Sequence, residues 1–322
     1  MSNIVSAIND YVGYCRNQKH LADNTMRAYR IDMEQFISFL YDVKADGLDV
    51  IEMTKEILKA YIDKLQGRYA VKTVKRKIAC IKAFFSYLEG EDIIPVNPFR
   101  KVRVKLCEAK TLPKTVRKQD IALQLEFVYE LYERANTVFQ KYYAARAIAC
   151  YELLINTGMR IGEISNLRTD AIDLEAKCIR VMGKGKKERI AYLTGGSVIQ
   201  ALQKYIDMKG RMHIASSYFF TTTHGGRMSE ASARRLIRHI GTVVVGKHIT
   251  PHMYRHTFAS MLLDLNVDIR YIQELLGHSS INTTQIYLHL LNTSIRKSLE
   301  RANLRQQYKI CRPVANACSV EF

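Results

Sequence analysis

The chain has 322 residues, enough for about two domains that each bury a core. Its 49 lysines and arginines against 31 aspartates and glutamates give a formal net charge of +18, which favours nucleic acid as the partner. No apolar run approaches the roughly 18 residues of a membrane-spanning helix, and the N-terminus lacks the basic-then-apolar order of a signal peptide. Seven scattered cysteines without a C-x-x-C pair argue against disulfides and structural zinc, and indicate a cytoplasmic protein.

Apolar residues at helical spacing predict four helices in the N-terminal part of the chain, from Ile4 onward and at 23–40, 55–66 and 71–90. Thr54 is the expected N-cap of the third helix, and Gly67 is expected just past its end. The fourth helix is strongly basic, with cations at Lys72, Lys75, Arg76, Lys77 and Lys82. This charge has two interpretations, a solvated helix face or a DNA-phosphate contact, and the positive excess of the whole chain favours the second.

A basic, proline-interrupted segment follows the fourth helix. Pro95, Pro98 and Pro113 punctuate it, and residues 100–118 hold eight basic residues and one acidic residue. Such a segment between two helical regions is typical of an interdomain linker. We therefore expect an N-terminal helical domain at 1–92, a basic linker at 93–112 and a second domain at 113–322.

The second domain is predicted to be mainly α with a small antiparallel sheet. It begins with helical sequence from about Gln119 to Asn156. Two short β-type runs then flank the turn "GKGKK", which predicts a hairpin with lysines at its tip. A further helix is expected to start near Ser229 and to carry Arg234 and Arg235, two more candidate DNA contacts.

Histidine, arginine and tyrosine residues are concentrated near the C-terminal end. Thr250 is a plausible N-cap with Pro251 at the first helical position, and His252 and Arg255 then share one helix face. The face that packs is expected to hold Phe258, Met261, Leu262 and Leu265. The run "DIRYIQELLG" predicts a helix ended by Gly277, which leaves His278 on the exit loop, nine residues before Tyr287.

Three interpretations of these residues compete. Each histidine could be an ordinary structural group, which is the commonest case. His252 and His256 have the spacing of a zinc pair, but the His-Glu-x-x-His pattern is absent and Arg255 would lie beside the metal. The third interpretation is phosphoryl transfer without a metal, which needs a nucleophile, cations for the non-bridging oxygens and an acid for the leaving group.

Two further motifs supply groups for the third interpretation. In "TGMRIGEISNL", Arg160 follows a Thr-Gly break and Glu163 comes three residues later, so that a carboxylate can orient a rigidly placed cation. Lys184 lies at the tip of the predicted hairpin in "GKGKKER". Arginine's planar fork suits phosphate oxygens, and lysine can deliver a proton.

Together these motifs resemble the tyrosine recombinases, the phage-type integrases and Xer-like recombinases. The resemblance is carried by "TGMRIGEISNL", "GKGKKER", "HMYRHTFAS" and "LLGHSSINTTQIY", and "NTMRAYRIDMEQFISFL" is similar to the family's N-terminal domain. It implies that Tyr287 attacks the scissile phosphate to give a 3′-phosphotyrosyl link. It further implies that Arg160, Arg255 and His278 hold the phosphate oxygens, that Lys184 protonates the leaving 5′-oxygen and that His252 assists proton transfer at the tyrosine. Glu163 would support Arg255 and His252.

The resemblance also implies an architecture and partners. A SAM-like core-binding domain and an α-rich catalytic domain would form a C-shaped clamp around double-stranded DNA, and a homo-tetramer would join paired recombination sites. Off DNA the protein would be a monomer or weak oligomer; an accessory protein is left open. No metal, ATP or other cofactor is implied. A C-terminal tail helix bearing Ile295, Leu299 and Ala302 would pack on a neighbouring protomer, or alternatively on its own domain.

The sequence departs from the family pattern at some positions, and two rival functions remain. The tip lysines Lys186 and Lys187 compete with Lys184 for the acid role, although spacing favours Lys184. His256 is interpreted as a structural neighbour, and Cys311 and Cys318 as bystanders.

A type IB topoisomerase shares the tyrosine chemistry, and a DNA-binding regulator could carry an inactive site. The full set of catalytic-type residues argues against the regulator.

Overall fold

The computed structural model describes residues 4–43, 49–107, 114–183, 188–265, 267–277 and 298–308. The chain divides into two compact units, Met1–Thr111 and Leu112–Phe322. Within the described ranges, no helix is both long and apolar enough to cross a membrane.

Among its described residues, the first unit has four α-helices: α1 (Ile4–Asn17), α2 (Asp23–Val43), α3 (Lys55–Arg68) and α4 (Val71–Gly90). Two short 3-10 helices, Val50–Glu52 and Pro98–Lys101, flank α3 and α4. The α-helices confirm the four predicted helices, and Thr54 caps α3 by accepting a hydrogen bond from the Ile57 amide. The expected end of α3 at Gly67 is wrong. Gly67 lies inside the helix, and the helix ends where Tyr69 takes an extended backbone conformation and donates its amide to the Leu65 carbonyl. No positive φ is needed there, so the glycine is not the stop signal.

An aromatic-rich core holds the first unit together. Phe36, Phe84 and Phe85 are fully buried, and their rings contact one another or Tyr61 in edge-on or tilted geometry. The core does not end at α4, because Ile94 and Phe99 from the proline-rich segment are buried in the same cluster. The beginning of the segment expected to be a linker thus packs on the first unit.

A buried ion cluster joins α2 to α4. Asp32 on α2 is fully buried and accepts hydrogen bonds from Lys77 at 2.8 Å and from both terminal nitrogens of Arg76. Lys77 also donates to Gln35 at 2.5 Å and is itself buried. Lys77 therefore cannot contact DNA, and part of the basic character of α4 serves the interior of its own unit.

Replacing Asp32 with alanine should destabilise the first unit strongly, because it leaves the Lys77 ammonium buried with no anionic partner. We expect a loss of about 3–5 kcal/mol, the usual cost of breaking one side of a buried ion pair. The matched control is Asp42→Ala, which removes the exposed pair between Lys64 and Asp42 at 2.8 Å and should cost less than about 1 kcal/mol. Urea unfolding followed by circular dichroism measures both variants. Equal losses would contradict a structural role for the cluster.

The second unit is mainly α with one small antiparallel sheet, which confirms the predicted fold class. Its helices are α5 (Lys118–Glu133), α6 (Val138–Thr157), α7 (Ile161–Ser165), α8 (Gly196–Arg211), α9 (Glu230–Val245), α10 (Pro251–Asp264) and α11 (Ile269–Leu276). The strands β1 (Ile172–Asp173), β2 (Cys178–Met182) and β3 (Glu188–Tyr192) pair in that order. The predicted hairpin is β2 and β3, with Met182 opposite Glu188. The helical stretch from Gln119 divides into α5 and α6, because a capping box between Thr137 and Gln140 begins a new helix.

Helix α6 forms the centre of the second unit, and its residues are buried almost without interruption from Ala144 to Thr157. The other elements of this unit, including α5, α8 and α10, pack around it. Leu265 was expected on the packed face of α10, but it is partly exposed just past the end of that helix. Phe258, Met261 and Leu262 are buried as expected.

The described part of the C-terminal tail packs on its own unit. Leu299, Ala302, Leu304 and Tyr308 belong to the core of the second unit. Arg305 donates to the fully buried carboxylate of Glu152 at 3.0 Å, and Tyr129 donates to the same carboxylate at 2.8 Å. The expectation that Leu299 and Ala302 cover a neighbouring protomer is therefore wrong; Ile295, Cys311 and Cys318 lie outside the described residues.

Candidate active site

The end of α6 fixes the position of Arg160. Gly158 ends this helix with a φ of 58°. A Cβ atom at Gly158 would lie 2.6 Å from the Phe258 ring and 3.2 Å from the Leu276 side chain, so the backbone passes directly against α10 and α11. Arg160, two residues later, is the N-cap residue of α7. The Thr-Gly break in the sequence thus correctly predicts a rigidly placed arginine.

Glu163 holds Arg160 from two sides. Its carboxylate accepts the Arg160 amide and the Arg160 Nη1 group, each at 2.8 Å. The Glu163 side chain is only 6% exposed, whereas that of Arg160 is 34% exposed. The carboxylate is therefore an interior support, and the guanidinium it holds still reaches solvent.

Arg189, on β3, is a member of this cluster that sequence reasoning missed. Its Nη2 donates to Glu163 at 2.6 Å, and its side chain is 9% exposed. Its Cδ atom lies against Gly277, where an added Cβ would come within 2.9 Å. The alternation of side chains along β3 was the signal that could have indicated a buried Arg189, because Arg189 lies on the same strand face as the buried Ala191.

Helix α10 supplies Arg255 and His252. Thr250 and Pro251 occupy the N-cap and first helical positions as predicted, although the Thr250 side chain makes no capping hydrogen bond. Arg255 is buried and donates to the carbonyls of Gly158, at 2.8 Å, and of Leu276. Its guanidinium thereby ties α10 to the ends of α6 and α11.

Burial, and then the nearby charge of Arg160, lower the pKa of Arg255 to about 10, while the Glu163 carboxylate opposes this change. Arg255 thus remains a cation at neutral pH. Glu163 was expected to support Arg255 and His252; its hydrogen bonds go to Arg160 and Arg189, and it acts on Arg255 by charge alone.

The pKa of His252 is lowered from its ordinary value, chiefly by partial burial and then by the positive charges of Arg255, His256, Arg234 and Arg160. A lowered pKa leaves the imidazole neutral at pH 7, and a neutral imidazole can accept a proton. Arg234, on α9, therefore lies close enough for its charge to affect the pKa of His252.

A polar network supports α10 from behind. Gln124 accepts hydrogen bonds from Tyr254 at 2.5 Å and from Tyr151 at 3.2 Å, and all three side chains are buried. Thr257 accepts the Val116 amide at 2.8 Å. These bonds connect α10 to α5 and α6, so the helix that carries His252 and Arg255 is fixed along its inner face.

The structure thus brings Arg160, Glu163, Arg189 and Arg255 together, with His252 on the same helix as Arg255. Lys184, Lys186, Lys187, His278 and Tyr287 lie outside the described residues; Gly277, which immediately precedes His278, accepts a long 3.4 Å contact from Arg160 Nη2. Within the described ranges, no group of three or more His, Cys, Asp or Glu side chains is arranged to hold a metal ion.

The candidate DNA contacts differ in their surroundings. Lys72, Lys75 and Arg235 are exposed. Arg76 and Arg234 are also exposed, but Arg76 is bound to Asp32 and Arg234 forms an ion pair with Glu230 one helical turn away. Lys72 and Arg235 are therefore the stronger candidates for phosphate contact.

Replacing Gly158 with alanine should destabilise the second unit and displace Arg160. The left-handed backbone costs a non-glycine residue about 1–2 kcal/mol, and the overlap with Phe258 adds about 1–3 kcal/mol. Gly246 provides the control, because it has a φ of 64° but nothing within 4 Å of an added Cβ. Gly246→Ala should therefore show only the backbone cost. Thermal unfolding of both variants tests this difference, and equal shifts in Tm would disprove the close approach at Gly158.

Comparison with known proteins shows which family the chain resembles. The model described as "Phage integrase family" matches residues 122–293, and that described as "Phage integrase, N-terminal SAM-like domain" matches residues 8–92. A tyrosine recombinase of Agathobacter rectalis is 42% identical over 291 residues, which cover 90% of this chain and 94% of that protein. Tyrosine recombinase XerC of Thermodesulfovibrio yellowstonii is 34% identical over 300 residues, which cover 90% and 93%.

A solved structure shows the same fold. The XerH site-specific recombinase bound to its difH substrate superposes with a TM-score of 0.65 at 19% identity, covering 89% of this chain and 83% of that chain. The extent of both family models and the identity to the curated relatives lead to one conclusion. The chain belongs to the tyrosine recombinase, or phage integrase, family of site-specific DNA recombinases.

Proposed function

We propose that this recombinase cuts and rejoins double-stranded DNA through a 3′-phosphotyrosyl intermediate, with Arg160 and Arg255 as the phosphate clamp. The observation that carries the proposal is the convergence of these two arginines beside Gly277, the residue before His278. Arg160 and Arg255 donate to the adjacent carbonyls of Gly277 and Leu276. Each Nη nitrogen has two hydrogens, so one bond to the protein leaves another hydrogen for a phosphate oxygen.

The proposed reaction gives each residue of the family motifs one role. The Tyr287 oxygen attacks the scissile phosphorus and the bond to the 5′-oxygen breaks, leaving a 3′-phosphotyrosyl link. Lys184 gives its proton to the departing 5′-oxygen, and the neutral imidazole of His252 receives the proton of the tyrosine. Arg160 and Arg255, with His278, stabilise the charge on the non-bridging oxygens.

Rejoining is the reverse reaction on another strand. A free 5′-hydroxyl attacks the phosphotyrosyl phosphorus, the bond to Tyr287 breaks and the phosphodiester is restored. Because the phosphotyrosyl bond conserves the energy of the cleaved bond, the cycle requires neither ATP nor a metal ion.

The wider setting is part of the same proposal. The positive charge supports a clamp of both units around the duplex, with candidate contacts on α4 and α9. A homo-tetramer on paired sites would perform complete recombination in the cytoplasm, with a monomer or weak oligomer off DNA. Because residues 298–308 pack on their own unit, exchange between protomers would fall to residues beyond 308.

Tyr287→Phe should abolish covalent protein–DNA adducts while preserving DNA binding, because only the attacking oxygen is removed. A suicide substrate with a nick beside the cleavage site traps the adduct for denaturing electrophoresis, and a gel shift measures binding. Tyr271→Phe on α11 is the matched control and should still form the adduct. Adducts from Tyr287→Phe would assign the nucleophile to another tyrosine.

Neutralising Lys72 and Lys75 together should flatten the dependence of log affinity on log salt by about 2, since each phosphate contact contributes a slope of about 0.9. A control with the same charge change is Lys55→Gln with Lys64→Gln, two lysines of α3 that pair with Glu56 and Asp42. The control slope should stay near that of the wild type. Equal flattening in both variants would indicate a general charge effect. The basic face of α4 would then be a solvated helix face that does not contact DNA phosphates.

A further inference from the structure

We propose that Arg189 is a positioning residue that limits the side-chain ion pair between Arg160 and Glu163 to one guanidinium nitrogen, Nη1, on one carboxylate oxygen, Oε1, so that Arg160 Nη2 stays available to the phosphate. The inference rests on the proposed role of Arg160. It adds a residue whose proposed effect on the reaction passes through Glu163.

The first observation is how the hydrogen bonds are shared between the two oxygens of the Glu163 carboxylate. Oε1 accepts Arg160 Nη1 at 2.8 Å. Oε2 accepts Arg189 Nη2 at 2.6 Å and the Arg160 amide at 2.8 Å. With both oxygens engaged in this way, the contact that Arg160 Nη2 makes among the described residues is the 3.4 Å one to the Gly277 carbonyl. A contact of that length is weak and easily exchanged for a phosphate oxygen.

The alternative arrangement explains why a second arginine is needed. Arginine and carboxylate groups frequently form a two-pronged pair, with both Nη nitrogens on both oxygens. The buried position of Glu163 would strengthen such a pair. A two-pronged pair would turn Arg160 Nη2 towards the interior and remove it from the phosphate. Arg189 prevents this by occupying Oε2.

The cost of burying Arg189 is the second observation. Its Nε and Nη1 atoms are buried without a hydrogen-bond partner among the described residues. Burial, its largest influence, also lowers the pKa of this guanidinium. Unpaired buried donors reduce stability, and a hydrophobic side chain of similar length would avoid that cost. A residue that is unfavourable for stability at the centre of the site fits a functional role.

Gly277 makes the arrangement sterically feasible. It has a φ of 62° and ends α11, and an added Cβ would lie 2.9 Å from Arg189 Cδ and 3.1 Å from Nε. The aliphatic stem of Arg189 therefore packs against the glycine while its head reaches Glu163. A methionine at position 189 can keep the stem contact and remove only the guanidinium.

The Arg189→Met variant distinguishes a positioning role of Arg189 from a merely structural one. We expect Tm to stay the same or rise, DNA affinity to change little, and single-turnover cleavage of the suicide substrate to fall by about tenfold to hundredfold, the scale of a misplaced catalytic group. Arg189→Lys, which can still donate to Oε2, should retain most of the rate. Arg180→Met on β2 is the control, because Arg180 is exposed and bonds the Asp170 carbonyl, so cleavage should be unchanged.

A second substitution tests the route through Glu163. Glu163→Gln removes the charge that would draw Arg160 into a two-pronged pair. The double variant Arg189→Met with Glu163→Gln should therefore cleave faster than Arg189→Met alone, although Glu163→Gln alone is expected to be slower than wild type. Losses that simply add, or a fall in Tm that accompanies the fall in rate, would overturn the positioning role.

The outcomes also separate this inference from the proposed function. If the wild-type chain forms no covalent adduct, the proposed function is wrong and this inference falls with it. If the wild type forms the adduct and Arg189→Met does so at the same rate, only the role of Arg189 is overturned.

Discussion

The buried carboxylate of Glu163 is the interaction on which the rest of the site depends. It is the negative charge that the structure places in contact with Arg160 and Arg189, and its charge also favours the protonated form of Arg255. Three guanidiniums around one carboxylate leave an excess of positive charge. Such an excess is unfavourable in a partly buried site until an anion arrives, and in the proposed reaction a phosphodiester is that anion.

The fold maintains this concentration of charge by bringing the arginines from separate elements. Arg160 follows the glycine that ends α6, Arg189 comes from β3 and Arg255 from α10. The carbonyls of Gly158 and Leu276 hold Arg255, and the close packing at Gly158 holds the helix ends together. Contacts from several elements hold the guanidiniums in place before any ligand binds, and such preorganisation is the condition for the electrostatic stabilisation that the proposed reaction requires.

The net charge of +18 overstates the surface available to DNA. On α4, Lys77 and Arg76 neutralise the buried Asp32, and on α9 Arg234 is paired with Glu230. Lys72 on α4 and Arg235 on α9 are among the exposed cations that a polyanion could reach. A basic helix can therefore serve the core of its own unit with some residues and a polyanion with others, and only the three-dimensional contacts distinguish the two groups.

The sequence by itself determined the features that depend on neighbours in the chain. These include the helices, with the cap at Thr54 and the start of α9 near Ser229, the β2–β3 hairpin, the helix ends at Gly158 and Gly277, and the family motifs. Tertiary structure decided the features that depend on distant partners. Arg189 reaches a carboxylate 26 residues away, and Lys77 turns inward to Asp32. Leu299 packs in the core of its own unit, where Arg305 from the same tail pairs with the buried Glu152. Periodicity gives the face of an element, but the partner of that face is set only when the whole chain has packed.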